Sequence, residues 1–161
     1  MTLRIAIVSG VGTAPTRIAA FDQALINAGI ANYNLLLLSS VIPPGSIIER
    51  CRFIAPPADY GHRLFVVLAR HDTRIHGEHA WAGLGWVQDP ESGKGLLVEV
   101  SGTGRRVVER GIERSLEVMV ANRHERYGPV HSEIVGIECQ SDPVCAIVAA
   151  VYASQGWEES P

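Results

Sequence analysis

The sequence predicts an α+β fold, with two helices and about seven strands in one domain. Its 161 residues suit a single compact domain that buries roughly 70% of its unfolded surface. Short apolar runs recur along the chain, and Gly, Pro or polar residues separate them, as is typical of strands. Two longer segments instead have apolar residues at helical spacing.

A strand, a loop and a helix are predicted for the first 28 residues. Residues 3–9 are short and β-branched, which favours a strand, and the Gly, Thr and Pro residues of 10–15 favour a loop. Thr16 is a suitable N-cap for a helix that ends near Ala28, because Gly29 is a typical stop signal. Three apolar residues define the expected core stripe of this helix: Ile18, Phe21 and Leu25.

The remaining elements are predicted from apolar runs and turn signals. Residues 32–39 are predicted as a buried strand, because four consecutive leucines leave no polar face, and Pro43-Pro44-Gly45 ends it. The turn at 89–93 indicates an antiparallel hairpin. The other strands are expected at 62–70, 79–88, 94–101, 131–139 and 144–152. A second helix is expected at 103–123, with inward-facing candidates at Val107, Ile112, Leu116, Met119 and Val120. The polar end from Gln155 to Pro161 is expected to be frayed.

Composition argues against several classes of partner. The net charge is −3 and no basic patch stands out, so nucleic acid is not an expected partner. No apolar stretch approaches the roughly 18 residues of a membrane span. The N-terminal apolar run is too short for a signal peptide, which predicts a cytoplasmic protein. The three cysteines (Cys51, Cys139 and Cys145) do not have the pattern of a secreted disulfide framework.

Two polar or glycine-rich motifs have simple explanations. Gly10-Val11-Gly12 lies between a strand and a helix, but the third glycine of a dinucleotide fingerprint would fall at position 15, which is Pro. A plain tight turn is therefore favoured. Five potential metal ligands are crowded between two strands, yet their spacing matches no strong ligand pattern, so a solvated loop is expected and no metal is. They are His71, Asp72, His76, Glu78 and His79.

Ser39-Ser40 and Glu99 are candidates for chemistry. The serine pair follows an apolar strand, and turn-forming serines at a strand end are the simplest explanation of the pair by itself. Glu99 interrupts an apolar strand, and alternation places it on the same face as Leu97 and Ser101. If that face is covered, desolvation raises the pKa of Glu99 and suits it as a general acid. If the face meets solvent, Glu99 is an ordinary surface carboxylate.

Asp22 and Asn34 are polar residues in apolar surroundings. Asp22 forms an i, i+4 row with Ile18 and Ile26, where a carboxylate either reaches water or needs a cationic partner. Asn34 interrupts the apolar strand that leads to Ser39, and a buried amide there must find hydrogen-bond partners. A structural role and a chemical role are both open for Asn34.

These residues together resemble one known family. The segment AFDQALINAGIANYNL (residues 20–35), followed by SSVIPP (residues 39–44), is similar to the pyruvoyl-dependent arginine decarboxylases. The fixed order of AFD, NAGI, N-x-N-L and SS-x-x-PP is far more specific than any one piece. The similarity covers most of the chain, is strongest from Ile7 to Pro44 and is weak at the C-terminus. It implies a four-layer αββα sandwich of mainly antiparallel sheets with two principal helices, assembled as a trimer with sites between subunits.

The resemblance also implies that the chain makes its own cofactor. Ser40 Oγ would attack the Ser39 carbonyl and convert the peptide bond to an ester. β-Elimination would then leave a dehydroalanine at position 40, which hydrolyses to a pyruvoyl group. The products would be a β chain of residues 1–39 and an α chain of residues 40–161. The pyruvoyl group would take up the α-amine of L-arginine and accept the electrons released with carbon dioxide, which gives agmatine. The alternatives are a decarboxylase of another amino acid, such as histidine, or an unprocessed homologue without catalysis.

Three further roles are carried over with the resemblance. Glu99 matches the glutamate that protonates the substrate, Asp22 matches the residue that binds the guanidinium, and Asn34 matches an asparagine needed for processing. Asn34 and Ser40 have the same parity, but six extended residues would place them roughly 20 Å apart. We therefore expect Asn34 to act on Ser40 of a neighbouring subunit, or to support the strand.

Overall fold

The computed structural model describes residues 2–158, which form two α-helices, nine β-strands and one short 3-10 turn at Pro57–Asp59. The helices are α1 (Arg17–Ala28) and α2 (Arg105–Ala121). The strands are β1 (Leu3–Thr13), β2 (Asn34–Leu37), β3 (Val41–Ile42), β4 (Ser46–Arg50), β5 (Arg63–Thr73), β6 (His79–Gln88), β7 (Gly95–Gly102), β8 (His131–Glu138) and β9 (Val144–Gln155). None of the helices within residues 2–158 is long and apolar enough to cross a membrane.

The strands form two sheets that face each other. The first sheet has the order β2-β5-β9-β1-β4, with antiparallel pairing at its centre and parallel pairing at both edges. The second sheet has the order β3-β7-β6-β8 and is antiparallel throughout. Helix α1 packs on the outer face of the first sheet and α2 on the outer face of the second. The predicted α+β class and the four-layer αββα order are confirmed.

Three apolar layers hold these four layers of secondary structure together. The middle layer lies between the sheets and contains inward-facing residues of both, among them Ile5, Leu84 and Leu97. Strand β9 is buried on both faces: Val148 and Ala150 enter the middle layer, whereas Ile147 and Ala149 pack toward α1. This continuous burial explains why the β9 sequence is apolar without alternation.

Helix α1 has the predicted ends, and two of its three predicted core residues, Phe21 and Leu25, pack partly buried against the first sheet. The Thr16 side chain accepts a hydrogen bond from the Ala19 N–H at 3.2 Å, and Gly29 ends the helix with a φ of 81°. The buried positions are Ala20, Ala24 and Ala28, whereas Ile18 is 69% exposed. The expectation of Ile18 as a core residue was wrong, because α1 lies too close to the sheet for a large side chain at the contact.

The glycines of β1 explain this close approach. Gly10 and Gly12 lie within the strand, so the predicted loop at 10–15 was wrong for its first residues. A Cβ atom at Gly12 would lie 2.5 Å from the backbone nitrogen of Ala24, and one at Gly10 would lie 2.2 Å from the Ala24 carbonyl oxygen. Both glycines therefore serve helix–sheet packing rather than a turn.

The strand predicted at 32–39 is the shorter edge strand β2. The expectation that it is buried was wrong, because Leu36 is 40% and Leu37 69% exposed in the single chain.

The other differences from the predicted elements are local. Two short strands, β3 and β4, were not predicted, because each is defined by its pairing with a distant strand rather than by its own pattern. On α2, Val108 faces the core instead of the predicted Val107, which is exposed. The predicted hairpin of β6 and β7 is confirmed. The expectation of a frayed end from Gln155 onward was wrong for residues 155–157, because Gln155 belongs to β9 and Trp157 donates a hydrogen bond from Nε1 to the Gly61 carbonyl at 2.9 Å. Residues 159–161 lie outside the described part.

Candidate active site

Ser39 and Ser40 lie where the chain crosses from the first sheet to the second. Strand β2 pairs with β5, and the Leu38 N–H continues this contact by donating to the Val66 carbonyl at 2.8 Å. On the other side of the crossing, the Ser40 carbonyl accepts a hydrogen bond from the Leu97 N–H at 2.9 Å, and β3 then pairs with β7. The peptide bond between the serines therefore spans the two sheets.

The structure brings Ser40 and Glu99 into direct contact. The Ser40 hydroxyl donates a hydrogen bond to Glu99 Oε2 at 2.7 Å. Alternation in β7 places Glu99 on the same face as Leu97, which is buried between the sheets, as the sequence predicted. Pairing of β3 with β7 places Ser40 opposite Leu97. The Ser40 side chain therefore reaches Glu99, two residues further along β7, diagonally across the strands.

The contact lies at the open end of the layer between the sheets. Ser40 is half-buried and Glu99 is exposed in the single chain. The sequence analysis made a general-acid role of Glu99 conditional on a covered face, and within one chain this face meets solvent. A small molecule or a neighbouring chain can therefore reach both side chains from the open end.

The Ser39 carbonyl also has a defined partner. The Val41 N–H donates to it at 2.8 Å, which closes a tight turn around Ser40. A backbone N–H aimed at a carbonyl oxygen stabilises negative charge that develops there when the carbonyl carbon is attacked. The turn thus combines a hydroxyl, a carboxylate that can accept its proton, and a hydrogen-bond donor on the neighbouring carbonyl.

Asn34 is fixed at the far end of β2. Its side-chain Nδ2 donates to the Gly61 carbonyl at 2.8 Å, and its backbone N–H donates to the His62 carbonyl at 2.8 Å. Trp157 donates to the same Gly61 carbonyl, so the end of β9 and the start of β2 share one acceptor. Asn34 is exposed, and its predicted role in processing is not visible as a contact within one chain.

Asp22 lies on the outer surface of α1. Its neighbours in the predicted i, i+4 row are also exposed: Ile18 by 69% and Ile26 by 50%. Among residues 2–158, neither Asp22 nor Asn34 hydrogen-bonds with Ser40 or Glu99. One chain therefore assembles the pair Ser40 and Glu99 and presents Asp22 and Asn34 on its surface.

Tyr152 belongs to this site but was not singled out from the sequence. Its hydroxyl donates to the Val41 carbonyl at 2.9 Å, and burial raises the pKa of Tyr152 to about 12. The signal that would have found it is its place in β9, where it is the first polar side chain after the inward-facing apolar residues Val148 and Ala150.

The polar segment from His71 to His79 takes part in other contacts. His71 and Asp72 belong to β5, so the predicted loop is confined to residues 74–78. Asp72 forms ion pairs with Arg17 and Arg70, and the Thr73 hydroxyl hydrogen-bonds with Glu78. In the part of the chain that the structure describes, no three His, Cys, Asp or Glu side chains are grouped as metal ligands.

Comparison with known proteins identifies the family. The family model described as pyruvoyl-dependent arginine decarboxylase matches residues 4–156. The chain belongs to this family. A pyruvoyl-dependent arginine decarboxylase from Methanopyrus kandleri is 34% identical over 149 residues, which cover 92% of this chain and 94% of that protein.

Two other members of the pyruvoyl-dependent arginine decarboxylase family match over shorter stretches. The protein of that name from Halobacterium salinarum is 41% identical over 99 residues, which cover 61% of this chain and 60% of that protein. The Archaeoglobus fulgidus protein named pyruvoyl-dependent arginine decarboxylase 2 is 32% identical over 119 residues, which cover 70% of this chain and 73% of that protein. The match thus spans less than two thirds of the length of the halobacterial relative.

The residues present fit the covalent pyruvoyl group on which this family depends. Such a group forms from a residue with an oxygen on Cβ, and Ser40 supplies that oxygen in contact with a carboxylate. The Ser40 carbonyl, which is retained when the group forms, already accepts the Leu97 N–H. Position 40 thus has a hydroxyl, a neighbouring carboxylate and a fixed backbone carbonyl.

Proposed function

We propose that this protein is a self-processing pyruvoyl-dependent decarboxylase that converts L-arginine to agmatine and carbon dioxide. The observation that carries the proposal is the 2.7 Å hydrogen bond from Ser40 to Glu99 at the crossing between the sheets. Family membership supplies the reaction class, and the names of the relatives supply the substrate.

In the proposed self-processing step, Glu99 accepts the proton of the Ser40 hydroxyl. Ser40 Oγ then attacks the Ser39 carbonyl carbon, and the Val41 N–H stabilises the charge that develops on the Ser39 oxygen. The peptide bond becomes an ester, and position 40 is left with a free amine. Elimination of the Ser39 carboxylate separates residues 1–39 from residues 40–161 and leaves dehydroalanine at position 40. Water then hydrolyses the dehydroalanine to the pyruvoyl group, with release of ammonia. The hydrogen bond from Leu97 holds position 40 while the bond before it breaks.

In the proposed decarboxylation, the pyruvoyl carbonyl supplies an electrophile that takes up the substrate α-amine and accepts the electrons released as carbon dioxide leaves. Loss of the Ser40 hydroxyl frees Glu99 from its hydrogen bond. Its carboxyl group then lies beside position 40, where it can deliver a proton to the substrate Cα. One side chain thus acts first as a base and later as an acid.

We further propose that the active unit is a homotrimer, with Asp22 and Asn34 contributed across subunit contacts. Apolar side chains next to the cleavage point are exposed in the single chain: Leu36 by 40%, Leu37 by 69% and Val41 by 57%. β2 and β3, which flank the crossing, are both edge strands with one unpaired side. A neighbouring copy that covers these surfaces would enclose Glu99 and bring an Asp22 carboxylate to the substrate guanidinium.

An intact-mass measurement combined with a decarboxylation assay tests this proposal. The purified protein should give fragments 1–39 and 40–161, the larger with a blocked N-terminus, whereas Ser40→Ala should remain one inactive chain. L-Arginine should release carbon dioxide, and L-histidine should not. Cleavage that persists in Ser40→Ala would exclude the ester route, and release from histidine alone would reassign the substrate.

A further inference from the structure

Tyr152 reaches from the first sheet to the backbone of the second. It follows Val148 and Ala150 on the inward-facing side of β9, so its side chain points into the layer between the sheets. Its hydroxyl donates to the Val41 carbonyl at 2.9 Å. Burial raises the pKa of Tyr152 to about 12, so the hydroxyl stays a donor even at a pH at which an exposed tyrosine loses its proton.

The Val41 carbonyl depends on this donor because of its place in β3. Antiparallel pairing turns the backbone groups of alternate residues toward the partner strand, and the Ser40 carbonyl faces β7, where it accepts the Leu97 N–H. The Val41 carbonyl therefore faces away from β7. β3 is the edge strand on that side of the second sheet, so Tyr152 takes the place of a neighbouring strand.

Cleavage would leave β3 as the start of a chain. Ser39, whose carbonyl accepts the Val41 N–H at 2.8 Å, would remain on the other fragment, which β2 and the Leu38 N–H attach to the first sheet. The new chain end would then consist of position 40 and the two residues of β3. Chain ends fray unless they are tied down, and misplacement by about 1 Å can slow a reaction a hundredfold.

We propose that Tyr152 is a positioning residue that holds the new chain end against the first sheet after self-cleavage. This inference rests on the proposed function, because it concerns the chain end that self-cleavage creates. Tyr152 acts through the Val41 carbonyl and keeps position 40 next to Glu99. Before cleavage its hydrogen bond is one of several restraints, because the intact crossing also holds Ser40 in place.

Hydrogen exchange of cleaved Tyr152→Phe tests this role independently of activity. The substitution keeps the ring and removes only the hydroxyl. After intact mass confirms full cleavage of both proteins, the Ile42 amide should exchange about tenfold faster in the variant than in the wild type. The kcat for arginine should fall while KM changes little, because the substrate-binding carboxylate is untouched.

Matched variants distinguish a specific role of Tyr152 in holding the new chain end from a general role in stabilising the fold. In the Ser40→Ala background, which stays one chain, Tyr152→Phe should change exchange at Ile42 much less. Tyr33→Phe removes a hydroxyl that donates to Asp59 at 3.0 Å on the other side of the first sheet and should leave Ile42 unaffected. Replacement of Tyr152 by 4-aminophenylalanine, which restores a donor at the same place, should return exchange toward the wild-type rate.

The outcomes distinguish this inference from the proposed function. Unchanged exchange at Ile42 in cleaved Tyr152→Phe would overturn the role of Tyr152 and leave the decarboxylase proposal intact. If Tyr152→Phe speeds Ile42 exchange equally in the cleaved and uncleaved proteins, the positioning role is also overturned. The hydrogen bond would then stabilise the fold in general. A wild-type chain that never cleaves would overturn both proposals together.

Discussion

At the scale of single residues, the proposed mechanism gives Glu99 a part in two steps. In the intact chain its carboxylate accepts a hydrogen bond from the Ser40 hydroxyl, which is the group that the proposed self-processing would remove. The same carboxyl group would then remain beside position 40 for the later proton transfer. In this proposal Glu99 acts as a base while Ser40 has its hydroxyl and as an acid once that hydroxyl is lost.

Replacing Glu99 with Gln should impair turnover more than binding. The amide keeps the shape of the side chain but is a poor proton acceptor and donor, so both proposed steps lose their acid–base group. We expect slower chain cleavage and, in the chains that cleave, a kcat at least about a hundredfold lower with a small change in KM. Steady-state kinetics corrected for the cleaved fraction provide the measurement. Turnover at the wild-type rate would mean that another group or water protonates the substrate.

Asp22 should show the opposite pattern. Asp22→Asn removes the charge proposed to bind the guanidinium, and a charge-assisted hydrogen bond contributes about 1.5–3 kcal/mol. kcat/KM for arginine should therefore fall by roughly ten- to a hundredfold or more, while chain cleavage stays nearly unchanged. Asp142→Asn, which alters an exposed carboxylate in the turn before β9, is a control. Unchanged arginine kinetics in Asp22→Asn would exclude the guanidinium assignment.

At the scale of the elements, the contact between α1 and the first sheet depends on small residues from both sides. Gly10 and Gly12 of β1 face Ala20, Ala24 and Ala28 of α1, so the backbones approach more closely than larger side chains would allow. This contact sets the distance between α1 and the sheet, and therefore the position of the outer helix surface on which Asp22 lies.

Gly12→Ala should therefore destabilise the fold. The added Cβ would lie 2.5 Å from the Ala24 nitrogen and 2.6 Å from the Ala20 carbonyl oxygen, both of which are backbone atoms that cannot rotate away. The expected loss in free energy of unfolding is about 1–3 kcal/mol, measured by denaturant unfolding. Gly102→Ala is the control, because the nearest atom to its added Cβ is 3.9 Å away. An equal effect of the two substitutions would contradict the close-packing argument.

At the scale of the whole molecule, Asn34 and Ser40 do not meet within one chain. Asn34 is held at the start of β2 by Gly61, whereas Ser40 lies beyond the other end of that strand, at the crossing. The proposed trimer resolves this separation, because an exposed Asn34 of one subunit can approach the open end of the site in the next.

A mixed-subunit experiment tests the trimer directly. Asn34→Ala and Ser40→Ala proenzymes, each uncleaved by itself, are unfolded together and refolded as a mixture. Cleavage should be recovered in the Asn34→Ala chains, because a Ser40→Ala neighbour supplies the missing asparagine. Light scattering should show that the refolded mixture has three times the mass of the single chain. A trimer without any recovered cleavage would instead favour a role of Asn34 within its own strand.

Many elements of the fold could be predicted from the sequence, because they depend on near neighbours in the chain. Thr16 and Gly29 define the ends of α1 through local capping, and the turn at 89–93 defines the β6–β7 hairpin. The glycines of β1 misled the prediction, since Gly favours a loop locally and a close helix contact in the folded protein. Strand β3 could not be predicted, because two residues carry no periodic pattern and only β7 makes them a strand.

The sequence by itself determined the residue types, the alternation that places Glu99 on the same face of its strand as Leu97, and the serine pair at the end of an apolar strand. Only the tertiary structure decided that Ser40 and Glu99, 59 residues apart in the chain, meet at 2.7 Å and that Tyr152 supports Val41 from the other sheet. The physical reason is separation along the chain. Caps and periodicity depend on residues a few positions apart, whereas these contacts depend on how the edges of two sheets align across the sandwich.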